Sequence, residues 1–573
     1  MNSSRIRKIT LIYLVLLVLC GIGYAKYDSY GLDGDAVAFM DIADALRAHD
    51  FAHVVNGYWN PAYAAMLAAG QAISHPSRWN ELQTFYWVNF WIYLGCLAAC
   101  VYFVRSLVLV RERYATDASA PPAFSSGALL LVSLALMFAS FQRELHISAV
   151  RSDSLLLMLL MIAASLLLRL QAGGGFLYYP LLGLTLGLSY LTKSFAFLPS
   201  FFLLGAIFLF GLFRGRSNRN RIVAGSVLAG IVFVLLAGPY ILAISKQRGR
   251  PTTGESARLN YAFFVDQTDR WHEFHTGNLG HATASFKHPE QLLLDSPPVY
   301  SYLRHPYGTY PIWFDPAYWT DTIQPHVYLK GHLLRLARCS ALLVRFIVAH
   351  LEAFVVLIVL LVAGAFFSRK WRGWLPVASV ALWGLLMLGI YFPVDLQDRY
   401  LAAPFLFVVI TMLALLRRPA NSNVGDAATI TALLLALLLL ADATADIAQR
   451  RRILSVTGYP RGAYSTQIYP AASGLNQLGI TSGQTVACFG SQACYVDHYW
   501  ARLAGTPIRA EIEVSDFSDP GAFWTKQQNK QQALEQLRST GVTAVVGFFS
   551  PSAHIPEGWQ QLGDSNFYAY LLR

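Results

Sequence analysis

The chain is 573 residues long; 55% of its residues are hydrophobic and only 13% are charged. Soluble globular proteins carry about 25% charged residues, so this composition excludes an ordinary soluble enzyme, a disordered chain and a collagen-like fibre. Long uncharged runs, at residues 11–24, 195–213 and 427–441, instead predict a protein with many transmembrane helices.

The chain contains 44 Lys and Arg residues against 33 Asp and Glu residues, a formal net charge of +11. Five basic clusters lie beside apolar runs, at residues 5–8, 111–113, 214–221, 369–372 and 417–418. Basic residues in short loops are retained on the cytoplasmic side of a membrane. The charge therefore indicates topology, and we predict no nucleic-acid partner.

Apolar runs long enough to cross a bilayer predict eleven transmembrane helices. They lie near residues 9–25, 84–104, 125–141, 153–170, 178–193, 195–213, 222–244, 343–367, 375–392, 400–416 and 427–446. The first run lacks a convincing signal-peptidase site and is predicted to be retained as a helix. With a cytoplasmic N-terminus all five basic clusters fall in the cytoplasm, and the residues after the last helix fall outside it.

The first long segment between predicted helices is residues 26–83. Its residues 34–50 show helical spacing of apolar side chains, with Asp41 and Asp44 on the opposite face. This pattern predicts an amphipathic helix on the membrane surface. Asn-Gly and Asn-Pro pairs within residues 55–63 then predict a turn before a second short helix.

Two further regions lie outside the predicted membrane helices. The second long segment, residues 246–338, is rich in Tyr, Trp, His and Pro, and loops of this length are usually functional. Residues 450–573 have a soluble composition and predict a small α/β domain, so that residues 1–449 form the transmembrane domain. The predicted elements of the C-terminal domain are helices at 466–478 and 522–539 and strands at 485–490, 507–512, 543–549 and 567–573.

The predicted fold is therefore an all-α polytopic membrane bundle with surface helices and a small C-terminal α/β domain. Cys488 and Cys494 lie close together in that domain. They either form a disulfide, as in oxidising compartments, or remain buried thiols; the sequence leaves both possibilities open.

Two acidic residues, Asp33 and Asp35, stand in the sequence GLDGD just before the predicted surface helix. They have two possible roles. Acidic side chains cap helix N-termini and stabilise them. A carboxylate at the boundary of water and lipid also suits a general base.

Further short stretches follow in a characteristic order. They are YWNPAY at 58–63, RSDSLL at 151–156, GLSYLTKS at 187–194 and DRYL at 398–401. Together with the Asp-led helix at 35–46, they resemble the C-type glycosyltransferase superfamily, which includes protein O-mannosyltransferases and the bacterial lipid A aminoarabinose transferase. The family motifs RPDxLL and GLxxLTKG have Pro and Gly where this chain has Ser152 and Ser194.

This resemblance covers roughly residues 5–415. Residues 298–300 and 308–316 also resemble a bacterial branch of the superfamily whose members mostly lack an assigned substrate. The resemblance implies a sugar donor linked to polyprenyl phosphate and transfer, usually inverting, to a glycan, lipid or protein acceptor. It further implies transfer on the external face of the membrane. Combined with the orientation that the basic clusters predict, this gives a bacterial inner-membrane protein with a cytoplasmic N-terminus and a periplasmic C-terminal domain.

The resemblance also implies roles for particular residues. Asp35 is the expected catalytic base, with Asp33 as the second candidate. Lys193 and Arg399, joined by Arg151, are expected to bind the donor phosphate. No cofactor is implied, and the participation of a divalent metal stays open.

Four residues are candidates for binding the sugar or the acceptor: Tyr58, Trp59, Asn60 and Trp313. Aromatic faces stack on sugar rings, but Tyr and Trp also form the aromatic belt of membrane proteins. The stretch WHEFH at residues 271–275 has neither HExxH spacing nor a Cys pair, so we predict no metal site there. A secondary transporter or lipid flippase is the alternative function, although the sequence shows no internal repeat of the transporter kind.

Overall fold

The structure, a computed structural model, describes residues 3–27, 29–114, 120–213, 216–269, 279–284, 288, 290–367, 371–462, 464–514 and 520–572. The helices are α1 (Ser3–Lys26), α2 (Gly34–Arg47), α3 (Phe51–Val54), α4 (Pro61–Ser74), α5 (Glu81–Arg113), α6 (Ser126–Ser140), α7 (Asp153–Gln171), α8 (Tyr178–Thr192), α9 (Phe197–Leu212), α10 (Arg216–Arg248), α11 (Ser256–Phe264), α12 (Pro311–Phe314), α13 (Pro316–Trp319), α14 (Leu329–Ala349), α15 (Leu351–Val362), α16 (Trp371–Tyr391), α17 (Asp398–Leu415), α18 (Val424–Thr457), α19 (Ser465–Gln477), α20 (Tyr499–Ala504), α21 (Pro520–Lys526) and α22 (Lys530–Ser539). The strands are β1 (Gln291–Asp295), β2 (Pro298–Ser301), β3 (Phe366–Phe367), β4 (Leu416–Arg417), β5 (Val486–Phe489), β6 (Ile508–Ile512), β7 (Ala544–Phe548), β8 (Trp559–Gln561) and β9 (Phe567–Leu571).

Helices occupy all eleven positions where the sequence predicts a membrane span. Within the described residues, eight are long and apolar enough to cross a membrane, and nine if α14 and α15 form one bent span. Of the others, α8 has only 15 residues, and the stretch Leu375–Tyr391 of α16 is apolar but short. The chain is a multi-pass membrane protein, and the count of eleven spans stays a prediction.

The span predicted at 343–367 is not a single straight helix. The structure has α14 and α15 in its place, bent by 67° around His350. His350 is fully buried and its Nε2 lies 2.8 Å from a carboxylate oxygen of Glu144. This polar contact satisfies the imidazole where the helix is interrupted. The span was predicted from its apolar composition, and composition alone does not predict a bend within a helix.

The sheet of the C-terminal region is larger than the sequence predicts. It has seven strands in the order β1-β2-β6-β5-β7-β9-β8. Strands β1 and β2 come from the second long segment, and β2 pairs antiparallel with β6, with Val299 opposite Ile512. Strand β5 pairs in parallel with both β6 and β7. Strands β1 and β2 therefore add residues from outside 450–573 to this sheet, and α18 continues to Thr457. The division of the chain at residue 450 stays a prediction.

A buried ionic cluster joins the C-terminal region to the first long segment. The side chain of Arg502, only 2% exposed, forms two 2.8 Å contacts with Glu81 and contacts Asp41 at 2.7 Å and Asp44 at 3.0 Å. Asp41 also accepts hydrogen bonds from the backbone N–H and the hydroxyl of Thr309. The acidic face of α2 is therefore covered by protein.

Candidate active site

One cavity of about 900 Å³ lies where the ends of α7, α8, α16 and α17 meet α2, α11 and α12. The nine residues that the sequence assigns to the site all line it: Asp33, Asp35, Tyr58, Trp59, Asn60, Arg151, Lys193, Trp313 and Arg399. They come from positions up to 366 residues apart in the chain (399 minus 33). The fold thus brings the predicted set together, while the role of each member stays a prediction.

Two of the predicted cations meet at Asp153, the first residue of α7. The ammonium of Lys193, just after α8, lies 2.7 Å from Asp153 Oδ1, and Nε of Arg399 lies 3.8 Å from Asp153 Oδ2. Lys193 Nζ also stands 4.1 Å from the centre of the Tyr400 ring. The expectation that Lys193 and Arg399 converge agrees with this geometry, and both cations are largely removed from solvent.

Asp33 performs the capping role that the sequence left open. Its Oδ1 accepts a hydrogen bond from the backbone N–H of Ala36 at 3.1 Å, at the start of α2. Its Oδ2 forms an ion pair of 2.5 Å with Arg151. Both carboxylate oxygens therefore take part in contacts that hold the start of α2 and the Arg151 side chain in place.

Asp35 lies two residues further on and is held less tightly. Its Oδ2 accepts a hydrogen bond of 3.3 Å from Arg399, and its other oxygen has no hydrogen-bond partner within the described part of the chain. Burial, and then the charge of Asp33, raise the pKa of Asp35 to about 6, although Arg399 and Arg151 act against this shift. A carboxylate with a pKa near neutrality and an open oxygen in a cavity suits a general base.

Gly34 and Trp313 explain how the two acidic residues are placed. A Cβ atom on Gly34 would lie 2.2 Å from the Trp313 ring, so the indole packs directly against the first turn of α2. The indole N–H of Trp59 donates to the Trp313 carbonyl at 3.2 Å. Both Trp residues are 7% exposed. Their structural role is to fix the start of α2, and stacking on a sugar stays a prediction.

Asn60 positions the chain around Lys193. Its side-chain NH₂ donates to the Tyr190 carbonyl at 2.8 Å, and its Oδ1 accepts from the Ser194 N–H at 3.0 Å. Because these contacts flank Lys193, Asn60 holds the loop that carries this cation. The hydroxyl of Tyr58 donates to Asn260 Oδ1 at 2.9 Å, which ties the site to the second long segment.

Another charged group lines a different part of the cavity. Arg143 forms an ion pair of 2.5 Å with Glu352 and donates to the Ala349 carbonyl at 2.6 Å. Glu144 is bound to the buried His350. These contacts join the end of α6 to the bend between α14 and α15. We interpret this group as the support of the bend, because its charges are mutually paired.

The C-terminal region contributes Tyr495 and Val496 to the cavity, which the sequence does not predict. The Tyr495 ring lies 4.6 Å from that of Trp313. Cys488 and Cys494 form a disulfide immediately before Tyr495, which answers the question that the sequence left open. The only signal in the sequence was this Cys pair, and it did not indicate which part of the chain the turn contacts.

The next residue after this turn anchors it to the loop before α2. Asp497 Oδ2 accepts a hydrogen bond of 2.8 Å from the hydroxyl of Tyr30, and burial raises the pKa of Asp497 to about 7. Tyr30 precedes Asp33 by three residues. The C-terminal region therefore supports the segment that carries the candidate base.

Within the described residues, one group of side chains has the spacing of metal ligands, but its members are engaged in other contacts. That group consists of Cys488, Cys494 and Glu511. The two Cys residues are joined in the disulfide, and Glu511 accepts hydrogen bonds from Tyr302 and Tyr310 at 2.5 and 2.6 Å. Residues 271–275, for which the sequence argued against a metal, lie outside the described residues.

No protein-family model and no curated protein matches this chain. Several solved structures are similar to it, including the following three. The crystal structure of ArnT from Cupriavidus metallidurans bound to undecaprenyl phosphate is 11% identical, with a TM-score of 0.52, covering 100% of this chain and 99% of that chain. The same protein in the apo state is 12% identical, with coverage of 100% and 99% and a TM-score of 0.42. The Archaeoglobus fulgidus oligosaccharyltransferase tethered with an acceptor peptide is 11% identical, with coverage of 93% and 68% and a TM-score of 0.45.

The first of these similarities extends over essentially the full length of both chains. It confirms the C-type fold that the sequence resemblance predicts, including a C-terminal region beyond the membrane helices. At 11% identity the similarity concerns the fold alone.

Proposed function

We propose that this protein is a membrane glycosyltransferase that transfers a sugar from a polyprenyl-phosphate donor to an acceptor hydroxyl. The observation that carries this proposal is the convergence of Lys193 and Arg399 in the cavity that also holds the less engaged carboxylate of Asp35. The similar ArnT structure was solved with undecaprenyl phosphate, which supports a donor of this chemical class.

The donor phosphate binds between Lys193 and Arg399. Charge-assisted hydrogen bonds to an anion are strong where water is scarce. Asp153 holds the two cations in place, and a phosphate takes over part of its contacts with them. Arg151, paired with Asp33, supplies a third positive charge nearby.

The polyprenyl tail requires an apolar path from this phosphate into the membrane. Three rings stack in a row beside Lys193: Phe195 on Tyr391 at 3.8 Å, and Tyr391 on Tyr400 at 4.5 Å. The cavity continues along apolar residues at the start of α9 and the end of α16. This wall suits the first isoprene units of the donor.

The proposed reaction keeps the charge of the site constant. The acceptor oxygen bonds to the anomeric carbon, the bond from that carbon to the donor phosphate oxygen breaks, and Asp35 takes the acceptor proton. Asp35 thereby loses one negative charge while the leaving polyprenyl phosphate gains one. Arg399, which contacts both Asp35 and Asp153, lies where this charge moves. Attack opposite the phosphate inverts the anomeric centre.

The second long segment is the proposed acceptor side of the site. Its residues Thr253, Asn260, Phe263 and Trp313 line the cavity, and we propose that the segment covers the cavity and selects a glycan, lipid or protein acceptor. The basic clusters favour a periplasmic site in a bacterial inner membrane, with the N-terminus in the cytoplasm.

Titration with undecaprenyl phosphate tests the donor site without knowledge of the sugar. We expect Lys193→Met and Arg399→Met each to weaken binding about tenfold or more, because each removes a charged hydrogen bond of about 1.5–3 kcal/mol. The control is Arg105→Met, an exposed cation on α5 outside the cavity lining. Unchanged binding by both cavity variants, with the fold intact, would refute the donor site.

A further inference from the structure

A second elongated groove of about 680 Å³ lies between α1 and α18, and none of its lining residues belongs to the cavity. It is lined by Leu16, Leu19, Cys20 and Gly23 of α1, by Tyr27 just after α1, and by Leu440, Thr444, Ile447, Ala448, Arg451, Arg452 and Ser455 of α18. Within each helix these positions recur mostly every three or four residues and so share one face. A Cβ atom on Gly23 would lie 2.9 Å from the Ile447 side chain, so glycine permits the close approach of the helices.

The groove is apolar along most of its length and cationic at one end. Arg451 and Arg452 line that end, are exposed, and form no ion pair within the described residues. Their neighbour Arg450 differs, since it is buried and contacts Asp446 at 2.8 Å. Lys26 adds a further positive charge, because its Nζ lies 5.3 Å from the Tyr27 ring and the Arg451 guanidinium lies 5.8 Å from the same ring.

The length of the groove matches one leaflet of a bilayer. From Leu440 to Ser455 the helix rises about 22 Å at 1.5 Å per residue. Half of a hydrocarbon core is about 15 Å thick, and the adjoining headgroup layer adds about 5–7 Å. The groove is therefore about as long as one leaflet with its headgroup layer, and its arginines lie at one end of that length.

The placement of these cations is itself unusual. They lie at the end of α18 that leads into the C-terminal region, on the same side as Asp35, whereas the five basic clusters identified in the sequence are assigned to the opposite side. Basic residues on the non-cytoplasmic side run against the general trend, so a specific anion would account for them.

We propose that this groove binds one anionic glycerophospholipid. An acyl chain lies along the leucines of α1 and α18, and the phosphate contacts Arg451 and Arg452. A lipid with net negative charge is preferred over a zwitterionic one because, among the residues that the structure describes, no acidic residue lines the groove. A polyprenyl phosphate is not the proposed occupant, since the cavity already offers it Lys193 and Arg399.

The lipid would also steady the segment that leads to the candidate base. Arg450, next to the proposed phosphate ligands, donates a hydrogen bond of 2.9 Å to the Ser29 hydroxyl. Ser29 forms a parallel bridge with Arg461 and precedes Asp33 by four residues. Arg450 therefore joins the cationic end of the groove to the chain that enters the cavity, while the proposal does not depend on the transferase activity.

Native mass spectrometry of the full-length protein, exchanged into defined lipid mixtures, tests this proposal. The probes are phosphatidylglycerol, phosphatidylcholine and undecaprenyl phosphate. We expect one tightly retained phosphatidylglycerol and preferential loss of phosphatidylcholine. Because each cation near an anionic headgroup strengthens binding about fivefold, Arg451→Gln with Arg452→Gln should weaken phosphatidylglycerol binding about 25-fold.

Two matched variants separate charge from shape. Arg7→Gln with Lys8→Gln removes two exposed cations from the opposite end of α1 and should leave binding unchanged. Ala448→Phe fills the groove from an exposed position without altering charge, and it should also displace the lipid. Retention of undecaprenyl phosphate by the cavity reports that each variant is folded.

Three results would overturn the proposal. The first is equal retention of phosphatidylcholine and phosphatidylglycerol, which would mean that the protein retains bulk lipid without preference for an anionic headgroup. The second is unchanged phosphatidylglycerol binding in both groove variants. The third is loss of undecaprenyl phosphate binding in Ala448→Phe at unchanged thermal stability, which would assign the groove to the donor.

Discussion

Replacing Asp35 by Asn removes the proposed base while preserving the size of the side chain. A positioned base contributes roughly 10²–10⁴-fold to a proton-transfer reaction. We therefore expect transfer to fall at least about a hundredfold, while undecaprenyl phosphate still binds through Lys193 and Arg399. Transfer is measured in proteoliposomes as release of undecaprenyl phosphate from a panel of its sugar esters, with an envelope extract as the source of acceptors.

The same substitution lowers the transfer rate but is expected to stabilise the fold. Asp35 has a pKa raised from 3.8 to about 6 by burial and by Asp33, so the folded protein holds this proton more tightly than the unfolded chain does. The ionised carboxylate thus destabilises the fold above pH 6, and the penalty disappears as the pH falls toward 4. At 1.36 kcal/mol per pKa unit, this penalty to the free energy of folding is at most about 3 kcal/mol. Asp35→Asn should therefore raise the apparent Tm at pH 7.5. The gain in stability is reduced by the loss of the ion pair between Asp35 and Arg399.

Asp33→Asn is the matched control for this experiment. Asn caps helices as well as Asp does, so the start of α2 is retained and transfer should remain largely intact. Because the charge of Asp33 raises the pKa of Asp35, its removal should move the acidic limb of the rate profile to lower pH. Near-normal transfer by Asp35→Asn would refute the assignment, and strong loss in Asp33→Asn would then identify Asp33 as the base.

Three further outcomes follow from contacts outside the base. Arg502→Leu leaves Asp41 and Glu81 buried without their cation, and we expect a loss of about 3–5 kcal/mol of stability, seen as a lower apparent Tm; an unchanged Tm would contradict the role of this cluster. Replacing Cys488 and Cys494 by Ser should cost about 2 kcal/mol and slow transfer, because the turn beside the disulfide lines the cavity; transfer at the normal rate would separate the turn from the site. Alkaline phosphatase fused behind the last residue should be active in cells, and activity of a cytoplasmic reporter there instead would reverse the proposed topology.

The sequence predicts the membrane helices well because long apolar runs are a local signal. It misses the bend at His350, since the partner that stabilises the imidazole, Glu144, lies 206 residues earlier. It also misses β1 and β2, which are short strands on either side of a turn at Pro297, and which join the larger sheet only through a strand some 200 residues later.

For the site, the family motifs identify residues that line one cavity, but they do not reveal how those residues are paired. The motifs containing Asp153 and Lys193 carry no sign that the two side chains meet at 2.7 Å. Neither do they distinguish a cap from a base, and this distinction rests on which carboxylate contacts Ala36 and Arg151. Arg502 has no local signal at all, because its partners are more than 400 residues away.

The pairing of β2 with β6 has a consequence for how the protein is made. Val299 meets Ile512 only after 213 further residues have been synthesised, and until then β2 pairs only with β1 and its other edge has no partner strand. Non-local pairing of this kind is slow to form, and unpaired edges invite association between chains. Trp313 likewise lacks Tyr495 until the same stage. A ribosome that stops before the C-terminal region thus releases a chain whose helices can insert but whose cavity is incomplete, so partial products are predicted to be inactive and prone to aggregate.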